Sequence, residues 1–156
     1  MRTAFFFRTA VATAALLLGA GTAFPGECPA DKVGTDVMKP GATANSGATD
    51  NVLGAMDLGE QATMLPDHMF RLRQLEIQPG GEVAWHSHGE PPAIICVVSG
   101  EMTEYRSTCA VPILHKAGEV APEVKTTSHW CKNTGTQTAV LLSADMLHAS
   151  ADDHMM

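Results

Sequence analysis

Charge is scarce in this chain, and positive charge is scarcest. Only 17% of the 156 residues are charged, and 17 acids face 10 cations, leaving a formal charge of −7. Binding along a phosphate backbone needs a cationic stripe, so this balance excludes nucleic acid as a partner. Long apolar runs are also missing. The one candidate, Ala10 to Ala20, is bounded by Arg8 and by Pro25-Gly26 and falls short of the roughly 20 residues that cross a bilayer, which excludes stable membrane insertion. Nowhere do apolar residues recur at i, i+3, i+4 and i+7 beyond two turns, so helix is a minor component. Internal repeats and charge blocks are absent too. With 45% hydrophobic residues, what remains is a globular chain with room for one domain.

Residues 1–23 read as a secretory signal peptide: a basic start (Arg2, Arg8), the apolar run, then the small residues Gly21-Thr22-Ala23. The protein is therefore expected to be periplasmic or secreted. Export changes how cysteines are read, because an oxidising compartment lets Cys28, Cys96, Cys109 and Cys131 pair. Four cysteines allow three full connectivities, and four reduced, buried thiols are the competing reading. The favoured bridge joins Cys28, in a loose N-terminal arm, to Cys109, in a polar connection, since neither is held by strand geometry.

Residues 24–50 include the small, aperiodic stretch from Lys39 to Thr49 and predict a flexible surface arm. From residue 51 to 150 short apolar runs follow one another: Val52 to Leu58, Phe70 to Ile77, Glu82 to His86, Ala93 to Val98, Glu101 to Arg106, Val111 to His115, Ser128 to Lys132 and Ala139 to Asp145. Turn formers separate them, among them Pro79-Gly80-Gly81, Ser99-Gly100, Ala117-Gly118 and Asn133-Thr134-Gly135. Short strands at this spacing predict an all-β domain, either a sandwich or a small closed barrel. Residues 151–156 form a polar tail.

Among the seven histidines, His86 and His88 stand two apart on an extended run, where i and i+2 share a face and can converge on one ion. His129, on a later segment, becomes a third donor if closure of the sheet brings it alongside. A solvated loop is the bland alternative for a bare His-x-His pair. The wider pattern lifts it above that. Gly80, five residues, His86-Ser87-His88 and then Gly100 resemble the first motif of the cupin family, and Gly118 followed by His129, three residues and Asn133 resembles the second. The resemblance covers roughly Leu72 to Leu147. It implies a double-stranded β-helix, the jelly-roll barrel, holding a divalent metal in its mouth on two histidines, a glutamate and a third histidine.

Carried over residue by residue, the resemblance makes His86, His88 and His129 ligands and Gly100 the turn after the next ligand's strand. Where the family places its glutamate this chain has Ala93, and Val124 and Thr126 stand where the second motif has proline and glycine. Three repairs stay open: Glu90 at i+2 from His88, a plain three-histidine site, or Cys131 at i+2 from His129. The metal is read as a divalent transition ion, Fe, Mn, Zn, Ni or Cu. Trp85 and Trp130, each next to a ligand, should face away and pack. Glu104 and Tyr105 cannot both face inward, and Tyr105 is the candidate pocket-lining hydroxyl, with strand packing as its other reading. Asn133 should hold a turn. His68, His115, His148 and His154 read as surface or satisfied histidines. The apolar lining is expected from Ile95, Val97, Val140 and Leu142. The resulting expectation is a metal-dependent enzyme acting on a small molecule, a dioxygenase or isomerase. Its rivals are a non-catalytic metal- or ligand-binding protein and a metal-free scaffold. A homodimer through edge strands or residues 51–65 is a further expectation.

Overall fold

The computed structural model describes residues 26–61, 65–89 and 92–148. The expected signal peptide, Glu90, His154 and the polar tail lie outside the described residues. A single turn of 3-10 helix, Ala30–Lys32, precedes eight strands: β1 (Ser46–Asp57), β2 (His68–Ser87), β3 (Ala93–Ser99), β4 (Glu101–Arg106), β5 (Ile113–Lys116), β6 (Val120–Glu123), β7 (Ser128–Lys132) and β8 (Ala139–His148). All pairings are antiparallel, in the order β5-β4-β7-β2-β8-β3-β6, with β1 on the other side of β2. The result is a double-stranded β-helix, nearly closed into a barrel.

The 20-residue strand β2 belongs to both sheets. Its first half pairs with β8 from His68 to Ile77, and its second half pairs with β7 from Glu82 to Ser87. Gln78 to Gly81 make the corner, with Gly80 at φ 77°, a left-handed conformation that glycine adopts without steric cost. The turn expected at Pro79-Gly80-Gly81 is therefore a bend within one strand. Asn133 braces it: its side-chain amide donates to Ile77 O (2.7 Å) and Gln137 O (2.8 Å), and its own backbone N–H bonds Gly81 O. Gly100, at φ 74°, packs so closely that a Cβ would lie 2.8 Å from Thr138 O.

Two boundaries differ from the sequence reading. Strand β1 starts at Ser46, inside the expected arm, because the small residues up to Asp50 pair with Leu75 to Ile77 despite their weak periodicity. Strand β6 was not expected at all. It is four residues long with Pro122 in it, which an edge position tolerates because no neighbour needs the missing N–H.

Leu75, Ile77, Val83, Val97, Met102, Ala139 and Leu141 form the core. On β8 the inward residues are Ala139, Leu141, Ser143, Asp145 and Leu147, so Val140 and Leu142 face outward, opposite to expectation. Ile95 and Val97 point inward as expected. Asp145, buried beneath this sheet, accepts hydrogen bonds from Arg71 (2.9 Å) and Arg73 (2.7 Å), and Arg73 also pairs with Asp50.

Cys28 and Cys109 form a disulfide with Cα atoms 5.8 Å apart, closing 81 residues of sequence, while Cys96 and Cys131 are free. The arm behind it is bonded along its length: Val33 bridges to Cys109, Val37 N–H donates to Ser107 O, and Ala42 O accepts from Trp85 N–H. Gly41 lies against the Trp130 indole, where a Cβ would come within 2.3 Å of the ring.

Candidate metal centre

His86 and His88 leave the end of β2 together, and β7 pairs alongside with His129 directly opposite His86. That register closes the cluster: the three Nε2 atoms stand 3.1 Å (His86 to His88), 3.0 Å (His88 to His129) and 3.0 Å (His129 to His86) apart. His88 and His129 are buried and His86 is half-buried. The donors come from residues up to 43 positions apart in sequence, as the three-histidine reading requires.

The ring orientations are set from behind. His86 Nδ1–H donates to Ala84 O (2.9 Å), and His129 Nδ1–H donates to Glu104 Oε1 (2.6 Å). With those protons on Nδ1, the Nε2 atoms of His86 and His129 turn toward each other at 3.0 Å. Burial works against charge on His129, but Cys131, Glu104 and Glu123 outweigh it and hold its imidazole well above the usual range, so the proton among the three nitrogens marks a cation position that these residues could give to a divalent metal. Burial holds the His86 imidazole down at about 3, with the neighbouring His129 adding to the effect, which keeps this donor unprotonated at neutral pH.

Glu104 is the residue that sequence reasoning set aside. On β4 the inward positions are Met102, Glu104 and Arg106, so Tyr105 faces outward and stacks on Trp130 at 3.9 Å between ring centroids. Tyr105 is therefore no pocket hydroxyl; strand packing, its other reading, applies. Trp130 packs as expected. Glu104 is 1% exposed and carries a full set of partners: His129, His115 Nε2 (2.9 Å) and a two-pronged contact with Arg106 (2.8 and 2.9 Å). Burial alone would raise its carboxyl. The hydrogen bonds from His115 and His129 outweigh that and hold it well below the usual carboxylate range. Its neighbour Glu123 behaves oppositely: burial pushes it up to about 7, with His129 pulling it down and Glu104 adding to the rise. Glu123 Oε2 has no hydrogen-bond partner among the described residues.

His115, read as a satisfied histidine, is satisfied through Glu104 and so belongs to the shell behind the site. His68 and His148 meet edge-on across β2 and β8, away from it. Cys131 lines the same cavity, yet among the described residues the metal-holding groups are His86-His88-His129 and Glu104-Glu123-His129, without it. Glu90 lies outside the described residues. The cavity at the three nitrogens measures about 50 Å³ and is lined by Arg73, Ser143, Leu75, Ile95 and Leu141 besides the histidines, giving room for a small ligand only.

A barrel wound this way, with imidazoles converging at one end, defines a double-stranded β-helix protein whose mouth could hold a metal. Residues 73–145 match the cupin domain model, and this stretch is a cupin domain. Solved structures it resembles include a predicted oxalate decarboxylase from Thermotoga maritima, at 19% identity over 74% of this chain and 97% of that one, with TM-score 0.53. KdgF from Halomonas sp. aligns at 15% identity over 70% and 84%, with TM-score 0.51. The cupin domain of Cnp3 from Schizosaccharomyces pombe aligns at 14% over 66% of each chain, with TM-score 0.52. At these identities the likeness shows the fold. No curated protein matches the chain in sequence.

Proposed function

We propose that the protein is an exported metal-dependent cupin in which His86, His88 and His129 hold one divalent transition metal beside a bound small molecule. The three Nε2 atoms within 3.0 to 3.1 Å of one another carry this reading. An all-imidazole set suits Fe, Zn, Ni or Cu, with Mn also considered, better than Mg or Ca. Glu90 is the candidate for a fourth ligand. When bound, such an ion supplies Lewis acidity and open positions for a ligand. The chain does the rest. Ala84 O and Glu104 fix two of the rings, Leu75, Ile95 and Leu141 exclude water, and Glu104 supplies from behind His129 the negative charge that Ala93 does not provide. The disulfide and the signal-like residues 1–23 support export, because cystine persists in oxidising compartments.

Metal analysis of protein purified from its own compartment tests the site. Close to one equivalent is expected; less than about a tenth would leave a metal-free scaffold. Glu104→Gln should weaken metal binding roughly 10- to 100-fold in chelator competition, since the acceptor stays but the charge behind His129 goes. An unchanged affinity would mean that the carboxylate serves only Arg106 and His115.

On that metal the protein is read as an enzyme, a dioxygenase or isomerase of small molecules. Incubation of Fe- and Mn-loaded protein with catechol-like and keto-acid substrates, followed by oxygen uptake, checks the oxidative branch. A second reading, non-catalytic binding of metal or ligand, is favoured by Ala93 at the position of the family's carboxylate, and tight ligand binding without turnover would establish it.

A further inference from the structure

The barrel is left open along one seam. In the strand order β5 and β6 are the two ends, so each has a single strand partner, β4 for one and β3 for the other. A cavity of about 30 Å³ meets that seam, lined from β5 by His115 and from β6 by Ala121 and Glu123. It is not the space at the three nitrogens. His129 stands between the two, with Nε2 turned to His86 and His88, and with Nδ1 turned to Glu104 and Glu123, which line the seam cavity alone. The polar side of this cavity is made of acceptors. Glu123 is 2% exposed, and its Oε2 has no hydrogen-bond partner among the described residues, a state that a buried oxygen does not keep without cost. His115 commits Nε2–H to Glu104 Oε2, which makes its Nδ1 an acceptor as well. That nitrogen and Glu119 Oε2 flank Gly26, where a Cβ would lie 3.1 Å from the one and 3.0 Å from the other. Against the three lining carboxylates, Glu104, Glu119 and Glu123, one guanidinium is set: Arg106 bonds Glu104 twice and Glu123 Oε1 once (3.2 Å).

We propose that the seam cavity binds a small primary ammonium ion, which donates an N–H to Glu123 Oε2 and lays its short carbon stem against Val97, Met102 and Ala121. Charge and hydrogen bonding agree on this occupant. A surplus of carboxylate over guanidinium selects a cation, and an oxygen in want of a donor selects a cation that carries N–H. A metal ion fits less well. Both oxygens of Glu104 are taken by His129, His115 and Arg106, and Glu123 Oε1 is taken by Arg106, so a metal would find one free oxygen, whereas an ammonium head needs only one. Size sets the upper limit. A volume of about 30 Å³ holds roughly two water-sized groups, a head and a carbon or two. The proposal does not rest on the metal reading, because the ligand lies on the Nδ1 side of His129 and elemental analysis of the same sample reads the Nε2 side.

Titration of the nitrogen-15-labelled protein with ethylammonium chloride, at an ionic strength held constant with tetramethylammonium chloride, tests it through the amide resonances. Three non-hydrogen atoms at the best efficiency known for small ligands support a Kd of about 1 to 10 mM, and the saturating shifts should centre on Val97, Ala121 and Glu123. Glu123→Gln keeps the shape and removes the charge, so it should weaken binding at least about tenfold. Two arms need no variant. Potassium chloride, a cation without N–H, and ethanol, a donor without charge, should each bind the wild type at least about tenfold more weakly than ethylammonium. No saturation by about 50 mM ethylammonium overturns the proposal and leaves the cavity to water. So does potassium or ethanol binding as well as ethylammonium, an affinity unchanged in Glu123→Gln, or saturating shifts confined to residues away from the seam.

Discussion

His86→Ala should strip the protein of its metal while leaving the barrel standing. Losing a group that merely orients a ligand costs roughly 10- to 100-fold in affinity, so losing a donor outright should cost at least about 100-fold. His86 is the cleanest of the three to remove. It is half-buried and its Nδ1–H bonds only Ala84 O in its own strand, whereas removal of His129 would also take one of three partners from the buried carboxylate of Glu104. The core lies on Leu75, Ile77, Val83, Val97, Met102, Ala139 and Leu141, none of them a ligand, so folding does not wait on the ion as it does in a zinc finger. Equilibrium dialysis reads the loss and thermal unfolding reads the fold. Unfolding of the variant at room temperature would contradict this account, as would full retention of metal.

The second large effect is expected at the disulfide. Closing a loop of 81 residues restricts the unfolded chain by about 4 kcal/mol in the loop-entropy account, so the Cys28→Ser/Cys109→Ser double variant should melt roughly 10 °C lower. It should also lose the arm's grip on Trp130. Gly41 sits against that indole, and Tyr105 stacks on its other neighbourhood at 3.9 Å, so tryptophan emission should shift to the red as the ring meets water. The wild type under strong thiol reductant should behave likewise. A melting temperature within a degree of wild type would mean that the backbone bonds of Val33, Val37 and Ala42 hold the arm without the bridge.

Periodicity made an all-β domain and the His86–His88 pair legible, whereas the double-stranded β-helix and the place of His129 in the cluster were implied by the resemblance to the cupin motifs. Alternation along a strand placed His86 and His88 together, and turn residues at Gly100 and Gly118 marked where strands end, while Gly80 marked a corner inside β2. Side-chain polarity misled wherever the interior is polar. Strand β4 reads Glu-Met-Thr-Glu-Tyr-Arg, and ordinary patterning turns its Glu104 and Arg106 to water; the barrel turns them inward because His129, His115 and Glu123 satisfy them there. Strand β8 repeats the lesson. Its more apolar set, Val140, Leu142, Ala144 and Met146, faces out, and Ser143 and Asp145 face in against Arg73 and Arg71. The available signal was the pairing of opposite charges at i and i+2 in β4, Glu104 with Arg106, which a solvent-facing strand has no need to arrange. Strand β6 escaped notice because Pro122 and two glutamates in or beside four residues resemble a loop.

The corner in β2 has a consequence for when this chain can acquire its shape. Its first half pairs on one edge with β1 but on the other with β8, the last of the described strands, and its second half waits for β7. The β1–β2 pair can form early, but the barrel cannot close until β7 and β8 have been made. Under the proposed export, that delay suits passage through a translocation pore, with cystine formed on the far side.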